Sequence, residues 1–261
     1  MDPVVTRFTA VPDYSSGFMF VWSVNPSFSA PAPWTFVVQE APAVDGPWHD
    51  ISPELIGVLA WKEGRRRIGT KAYELFFRVK MTAGGESHFS HTSSPYGELS
   101  RKDYLIARDV MRREVLHSRG MAGVEVLVYR VSTSGAVCDA CRDPISGMTL
   151  DSHCKVCFGT GRNPPYFGPY AMWASFSGDT NHNAGLDGAG GNVEQKVFRV
   201  RMISAIPLRK NDVIVDLRSD KRYYVDTAAV VAEMRRVPVV QEAVAHEAAT
   251  TDVVYRLGAR K

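Results

Sequence analysis

The chain has 261 residues, and at roughly 150 residues per domain this length predicts about two domains. Hydrophobic residues make up 45% and charged residues 23% of the chain, which is typical of a protein with buried cores and excludes a disordered tail or a collagen-like rod. The formal net charge of +3 gives no strong overall field that would attract nucleic acid.

Residues 1–97 are predicted to form a β-sandwich. Several short runs there are rich in aromatic and β-branched residues, and clusters of Gly, Pro, Ser and Asn separate them. Short strands at regular spacing with such turns are typical of a sandwich. The predicted strands are Phe8–Val11, Phe18–Trp22, Thr35–Glu40, Tyr73–Met81 and Ser87–Thr92.

This N-terminal part resembles a fibronectin type III or related immunoglobulin-like module. The resemblance rests on Trp22 in an early strand, on YELFFRVKM late in the module and on GGESHFSHTSSP at its end. Phe77, Arg78 and Val79 match the strand pattern of that family. The resemblance implies a sandwich whose aromatic residues form a core, and such a fold carries no function by itself.

Residues 98–132 are predicted to form a linker of one helix and one strand. Ser100 is a candidate N-cap with Asp103 three residues later, and Gly120 is a candidate stop. Apolar side chains recur at helical spacing up to Leu116, and a strand is predicted from Met121 to Ser132. The opposite helix face is basic and offers a nucleic-acid alternative; it carries Arg101, Arg108, Arg112, Arg113 and Arg119.

Four cysteines in residues 133–162 predict a zinc knuckle. Cys138-x2-Cys141 and Cys154-x2-Cys157 are two tight pairs, and two such turns supply the closed tetrahedral sulfur shell of structural Zn²⁺. Iron, redox pairs and free thiols are the alternatives. Four sulfur ligands leave no position for a catalytic water, so His153 is expected at the surface or beside the ligands rather than on the metal.

Residues 163–261 are predicted to form a β-rich assembly domain. A polar stretch from Ser177 to Asn192 interrupts it and is expected to form a loop. Ser219-Asp220-Lys221 is expected at the turn of a hairpin. The predicted strands are Tyr170–Phe176, Lys196–Ile203, Asp212–Leu217, Arg222–Val231, Arg236–His246 and Val253–Leu257.

The larger pattern resembles structural proteins of tailed-bacteriophage virions. YGELSRKDYLIARDVMRRE precedes CDACRDPISGMTLDSHCKVCFGTG, in which Asp143, Pro144, Gly159, Thr160 and Gly161 match the family. CKVCFGTG alone is also similar to the repeat of J-domain co-chaperones, which have four such repeats. RKNDVIVDLRSDKRYYVDTA is similar to the small β-barrels of neck proteins at the head-to-tail junction. The resemblance implies a homo-oligomeric ring that contacts portal, connector and tail proteins in the virion, after assembly in the bacterial cytoplasm.

No enzyme motif stands in the sequence, and we expect no catalytic residues and no cofactor other than structural zinc. Neither a secretory signal nor a membrane helix is expected. The predicted fold is mainly β, with the sandwich, one linking α-helix and a zinc ribbon before a C-terminal small β-barrel. The alternatives are a tail or baseplate protein, a cytoplasmic zinc-ribbon protein that binds nucleic acid, and a carbohydrate-active protein with a binding module.

Overall fold

The computed structural model describes residues 3–12, 18–30, 33–63, 75–94, 96–97, 99–143, 151–179 and 196–257. The fold is mainly β, as predicted, with one α-helix, a closed barrel and a cluster of four cysteines. No helix in the described part of the chain has the length and apolar character needed to span a membrane.

The N-terminal part contains two antiparallel sheets. One sheet has the order β1-β2-β6, and the other has the order β4-β3-β7-β8 with β5 also paired to β3. The strands are β1 (Val5–Pro12), β2 (Phe18–Val24), β3 (Thr35–Ala41), β4 (His49–Asp50), β5 (Leu55–Ile56), β6 (Ala60–Lys62), β7 (Phe76–Ala83) and β8 (Glu86–Phe89).

Aromatic side chains join the two N-terminal sheets. Alternate residues of β7 are buried, as expected for a strand with one face on a core. The ring of Phe77 in β7 lies 4.9 Å from that of Phe20 in β2, and Trp22 lies 5.5 Å from Phe36. The aromatic residues of this part therefore form a core between two sheets, while the likeness to the fibronectin type III family stays a prediction.

The C-terminal part is a closed barrel of six strands. Their order around the barrel is β12-β13-β16-β15-β14-β9, and every neighbouring pair is antiparallel. The barrel strands are β9 (Gly123–Val131), β12 (Tyr166–Asp179), β13 (Val197–Ile203), β14 (Val213–Asp216), β15 (Arg222–Met234) and β16 (Val237–Glu247).

The first strand of this barrel comes from the segment that the sequence placed in a linker. β9 pairs with both β12 and β14, so residues 123–131 belong to the barrel rather than to a connection. The cysteine segment, with its short strands β10 (Ala136–Val137) and β11 (Arg162–Asn163), is consequently an insertion between two adjacent barrel strands. Sequence order alone does not reveal this, because β9 finds its partners more than 30 residues away.

The helix α1 (Arg101–His117) begins as predicted. Ser100 is its N-cap, and its side chain accepts a hydrogen bond from the Asp103 backbone N–H. Tyr104, Ala107, Met111 and Val115 are buried, in agreement with the helical spacing of these residues. The chain does not stop at Gly120 but continues through a π-helical turn, Ser118–Ala122, that leads directly into β9.

The prediction of a strand at Val253–Leu257 is wrong. Residues Val253–Arg256 form a 3-10 helix, and the Asp252 side chain caps it by accepting a hydrogen bond from the Val254 backbone N–H. The β-branched pair favoured a strand in the sequence. The cap and the burial of Val253 and Val254 against the barrel override that preference.

One hydrophobic core extends through both parts of the molecule. The ring of Trp34 in the N-terminal part lies 5.9 Å from that of Phe167 in β12, and Leu59 donates its backbone N–H to the Tyr170 hydroxyl over 2.5 Å. Gly168 donates its N–H to the carbonyl of Gly57. The two-sheet part and the barrel are therefore fixed against each other by buried contacts.

Candidate metal centre

The four predicted cysteine ligands meet at one point. The sulfur atoms of Cys138, Cys141, Cys154 and Cys157 all lie within 4.8 Å of one another, and all four residues are buried. The Cys138 and Cys154 sulfurs are 4.0 Å apart, and those of Cys141 and Cys157 are 3.4 Å apart. Sulfurs bound tetrahedrally at about 2.3 Å from a metal lie about 3.8 Å apart, so this cluster fits a four-coordinate metal ion.

A short hairpin and two turns position the sulfurs. β10 pairs with β11, and the Cys138 backbone N–H donates to the Gly161 carbonyl at 3.0 Å, which places the first pair beside the end of the second. Phe158 donates its N–H to the Cys154 carbonyl and Thr160 donates to that of Cys157. The second turn is therefore closed by backbone bonds around its sulfurs.

Glycine is required at two positions of this turn. Gly159 and Gly161 have φ values of +77° and +69°, which side chains with a Cβ rarely adopt. A Cβ on Gly159 would also collide with the carbonyl oxygen of Ser152. Gly161 donates its N–H to the Cys157 sulfur at 3.3 Å, as expected from a turn that brings backbone amides to the ligands.

The environment of the sulfurs affects their thiol pKa values in different directions. Burial raises the pKa of Cys141, and it also raises that of Cys157. Hydrogen bonds from the backbone N–H groups of Cys157 and Val156 lower the pKa of Cys154 to about 7. A bound cation favours the thiolate at all four positions, because metal ligation requires the deprotonated sulfur.

The cysteine module, defined as residues 133–143 and 151–163, is anchored to both parts of the fold. The Phe158 ring lies 6.3 Å from that of Tyr166 at the start of β12, where a small barrel cluster packs. Gly135 donates its N–H to the Phe28 carbonyl of the N-terminal part at 2.8 Å. Arg162 donates from Nη1 to the Gly135 carbonyl at 3.1 Å, which ties the two ends of the module together.

His153 is exposed and is not a member of the cysteine cluster, in agreement with its predicted place outside the ligand set.

The predicted loop from Ser177 to Asn192 is only partly within the described residues: residues 177–179 complete β12, and residues 180–192 lie outside. The turn predicted at Ser219-Asp220-Lys221 is confirmed, because β14 ends at Asp216 and β15 begins at Arg222.

The basic face of α1 is partly matched by acidic residues. Arg113 forms an ion pair with Asp109 at 2.8 Å, four residues earlier on the same helix. Arg119 lies over the Trp173 ring, 5.4 Å from its centroid. Arg201 of β13 reaches Glu114 of the helix at 2.7 Å, so Asp109 and Glu114 place negative charge among the arginines of α1.

A second group of residues was missed in the sequence. Trp22, Arg130 and Ser204 are buried and each has a side-chain nitrogen or oxygen without a hydrogen-bond partner in the described structure. The one available signal was Arg130, a charged residue within the apolar run Val124–Val131. Trp22 stood out only as an aromatic core residue of the N-terminal part, and Ser204 gave no signal. The two are 182 residues apart in the chain, and only the tertiary packing brings their elements together.

No protein-family model matches this chain, and a search of curated proteins finds no match to it.

Proposed function

We propose that this chain is a non-enzymatic structural protein of a tailed-bacteriophage virion, which forms an oligomeric ring at the head-to-tail neck and is stabilised by structural zinc. The observation that carries the assembly part is an open strand edge on the barrel. The sequence resemblance to neck proteins supplies the location, and a tail or baseplate ring is the alternative that uses the same surfaces.

The open edge is the longer, C-terminal part of β15. β14 covers only Arg222, Tyr223 and Tyr224 of that strand, whereas β16 follows it as far as Met234. In the described part of the chain no other strand pairs with Asp226–Met234 on the side away from β16. Exposed edges of this kind pair readily with another chain.

The side chains of this edge suit a protein partner. Thr227, Ala228, Ala229, Val230 and Val231 are consecutive exposed residues, and Val230 and Val231 are 48% and 46% exposed. Edge strands of monomeric proteins usually carry charges or proline to prevent pairing. The middle of this edge, Thr227–Val231, carries neither charge nor proline between Asp226 and Glu233. That uncharged stretch is therefore better explained by a strand of a neighbouring subunit in a ring.

Zinc is the metal in this proposal. Four thiolates and no other ligand type are typical of structural Zn²⁺ sites, and a closed shell has no place for substrate or water. The role of the metal is to hold the module between β9 and β12 in one shape, so that a surface on the ring has a fixed position. Metal analysis of the purified protein distinguishes zinc from iron.

The test is the oligomeric state of the purified protein, measured by sedimentation and electron microscopy, together with its zinc content. We expect a closed ring with about one zinc per chain, the stoichiometry of a four-sulfur site. A monomer that binds DNA with an affinity that falls steeply with salt would instead support the zinc-ribbon nucleic-acid protein and would overturn the proposal.

The edge is tested by the double variant Val230→Lys/Val231→Lys. Two ammonium groups on the edge oppose pairing with a second chain, whereas the exposed positions allow the barrel to fold. We expect rings to dissociate into folded monomers with unchanged zinc content. Val44→Lys, at another exposed valine in an N-terminal turn, is the matched control and should leave the rings intact; rings that persist in the double variant would contradict the edge as the interface.

A further inference from the structure

A cavity lies between the N-terminal sheet and the barrel, away from the cysteine module. Its volume is about 120 Å³, which is room for several waters or one small molecule. β1 and β2 form one wall, and the other is formed by the end of β9 and the segment from Ser204 to Arg209. The cavity therefore exists only because the two parts of the molecule are packed together.

Three residues that line the cavity have buried polar atoms without partners. These atoms are Nε1 of Trp22, Nε of Arg130 and Oγ of Ser204, which have no hydrogen-bond partner among the described residues. The three residues are 0%, 4% and 4% exposed. A buried polar group without a partner is costly, so three at one cavity call for hydrogen-bond acceptors that the described residues do not supply.

The chemistry of these groups selects an anion. The indole and guanidinium nitrogens can only donate hydrogen bonds, and a hydroxyl can donate as well. Arg7 and Arg209, both exposed, also line the cavity, and no Asp or Glu is present among the lining residues that the structure describes. The lining thus combines buried donors with positive charge at the opening.

Asp212, the carboxylate that acts on Arg130, is already engaged by the backbone. Asp212 acts electrostatically on Arg130, but its two carboxylate oxygens accept hydrogen bonds from the backbone N–H groups of Val131 and Arg209 at 2.8 and 2.7 Å. It partly balances the charge of Arg130 and leaves the Nε of that residue without an acceptor.

We infer that this cavity is a binding site for a small oxyanion, a carboxylate or phosphate group, held by Trp22, Arg130 and Ser204 with Arg7 and Arg209 at its opening. Oxyanions accept several hydrogen bonds at once, and charge-assisted bonds from arginine are among the strongest of these. The site joins the two parts of the fold, so its ligand stabilises their packing whether or not the protein assembles.

The experiment titrates the full-length protein with sodium phosphate and, separately, with sodium acetate, and follows thermal unfolding and binding heat. Sodium chloride at equal ionic strength is the control for screening. We expect a saturable rise in the melting temperature with at least one of the two anions, since a ligand that binds only the folded state stabilises it. The anion that acts identifies the ligand class, and no saturable effect beyond that of chloride overturns the inference.

Two variants locate the binding. Ser204→Ala removes an unpaired hydroxyl and should leave the ligand-free protein as stable as before, while Arg209→Ala alters only an exposed side chain at the opening. Each should weaken anion binding about tenfold, the size expected for one lost hydrogen bond or ion contact to a charged ligand. Arg218→Ala, at an exposed arginine outside the cavity lining, should bind normally. Equal weakening in all three variants, or none in the first two, would overturn the site.

Discussion

The cysteine module and the six-stranded barrel are held together in opposite ways. The buried cluster of the module consists of its four cysteines, whereas the barrel contributes fully buried residues such as Val200, Met202 and Ile214 to a core shared with the N-terminal part. Burial of an aliphatic side chain adds about 1.5–3 kcal/mol to the stability of the folded state, and the barrel buries many such side chains. The module has too few of them in its described residues to fold on apolar burial.

This difference indicates that the metal stabilises the cysteine module and that hydrophobic burial stabilises the barrel. The barrel strands carry the register and the core, so the barrel is expected to fold without metal. The module adds a segment of fixed shape between two adjacent strands, and its order depends on the ligands. Loss of the metal should therefore leave the barrel folded, and a weakened barrel core should leave the metal bound.

The largest expected effect is on the module. Cys154→Ser, or a strong chelator on the wild type, should disorder the cysteine module, because a three-sulfur shell binds the metal weakly and the buried cluster of the module consists of its four cysteines. Assembly should be lost with it, while the two-sheet part and the barrel stay folded. Hydrogen exchange of the module and circular dichroism of the strands measure the two regions separately.

Ser152→Ala, at an exposed residue in the same segment, is the control for Cys154→Ser and should retain metal and protection. A wild type without any bound metal, or a Cys154→Ser protein that remains ordered and assembles, would show that the module does not depend on the cluster.

The complementary change is in the barrel. Met202 in β13 is 0% exposed, and Met202→Ala should lower the free energy of unfolding by about 2–5 kcal/mol, the usual cost of truncating a buried large side chain. Metal content should remain unchanged, because the cluster has no contact with this position. Met121→Ala, at an exposed methionine, should cost little. Chemical denaturation with parallel metal analysis would test the separation; metal loss in Met202→Ala would argue against it.

A smaller effect is expected from Asp212, which accepts the Val131 N–H where β9 leaves the barrel for the module. Burial raises the pKa of Asp212 to about 6, above its ordinary value near 4. The folded state therefore binds the Asp212 proton more tightly than the unfolded state does. This proton adds about 3 kcal/mol to the free energy of unfolding below pH ~4, and the added stability is lost as the pH rises through ~6.

Asp212→Asn should remove this pH dependence. As the pH rises from ~4 to ~7, the free energy of unfolding of the wild type should therefore decrease relative to that of Asp212→Asn. The exposed Asp45→Asn controls for a general loss of negative charge. Urea unfolding at several pH values measures the difference, and a constant gap between wild type and Asp212→Asn would contradict the raised pKa.

Several features of the fold and of the metal centre were predictable because they depend on local pattern. The capping pair Ser100 and Asp103 fixed the start of the helix, since both groups belong to one turn. The spacing of the cysteines predicted one shared site, and the structure brings together Cys138, Cys141, Cys154 and Cys157. The strand predicted at Val253–Leu257 failed because a side-chain cap and burial outweighed β-propensity there.

The sequence by itself determined the mainly β character, the helix and the four ligands, because each follows from residue types at short spacing. Only the tertiary structure decided that β9 closes the barrel, that β14 leaves most of β15 uncovered, and that Trp22, Arg130 and Ser204 line one cavity. These features depend on which strands become neighbours and how far each extends. That choice is made by long-range packing, which no short stretch of sequence contains.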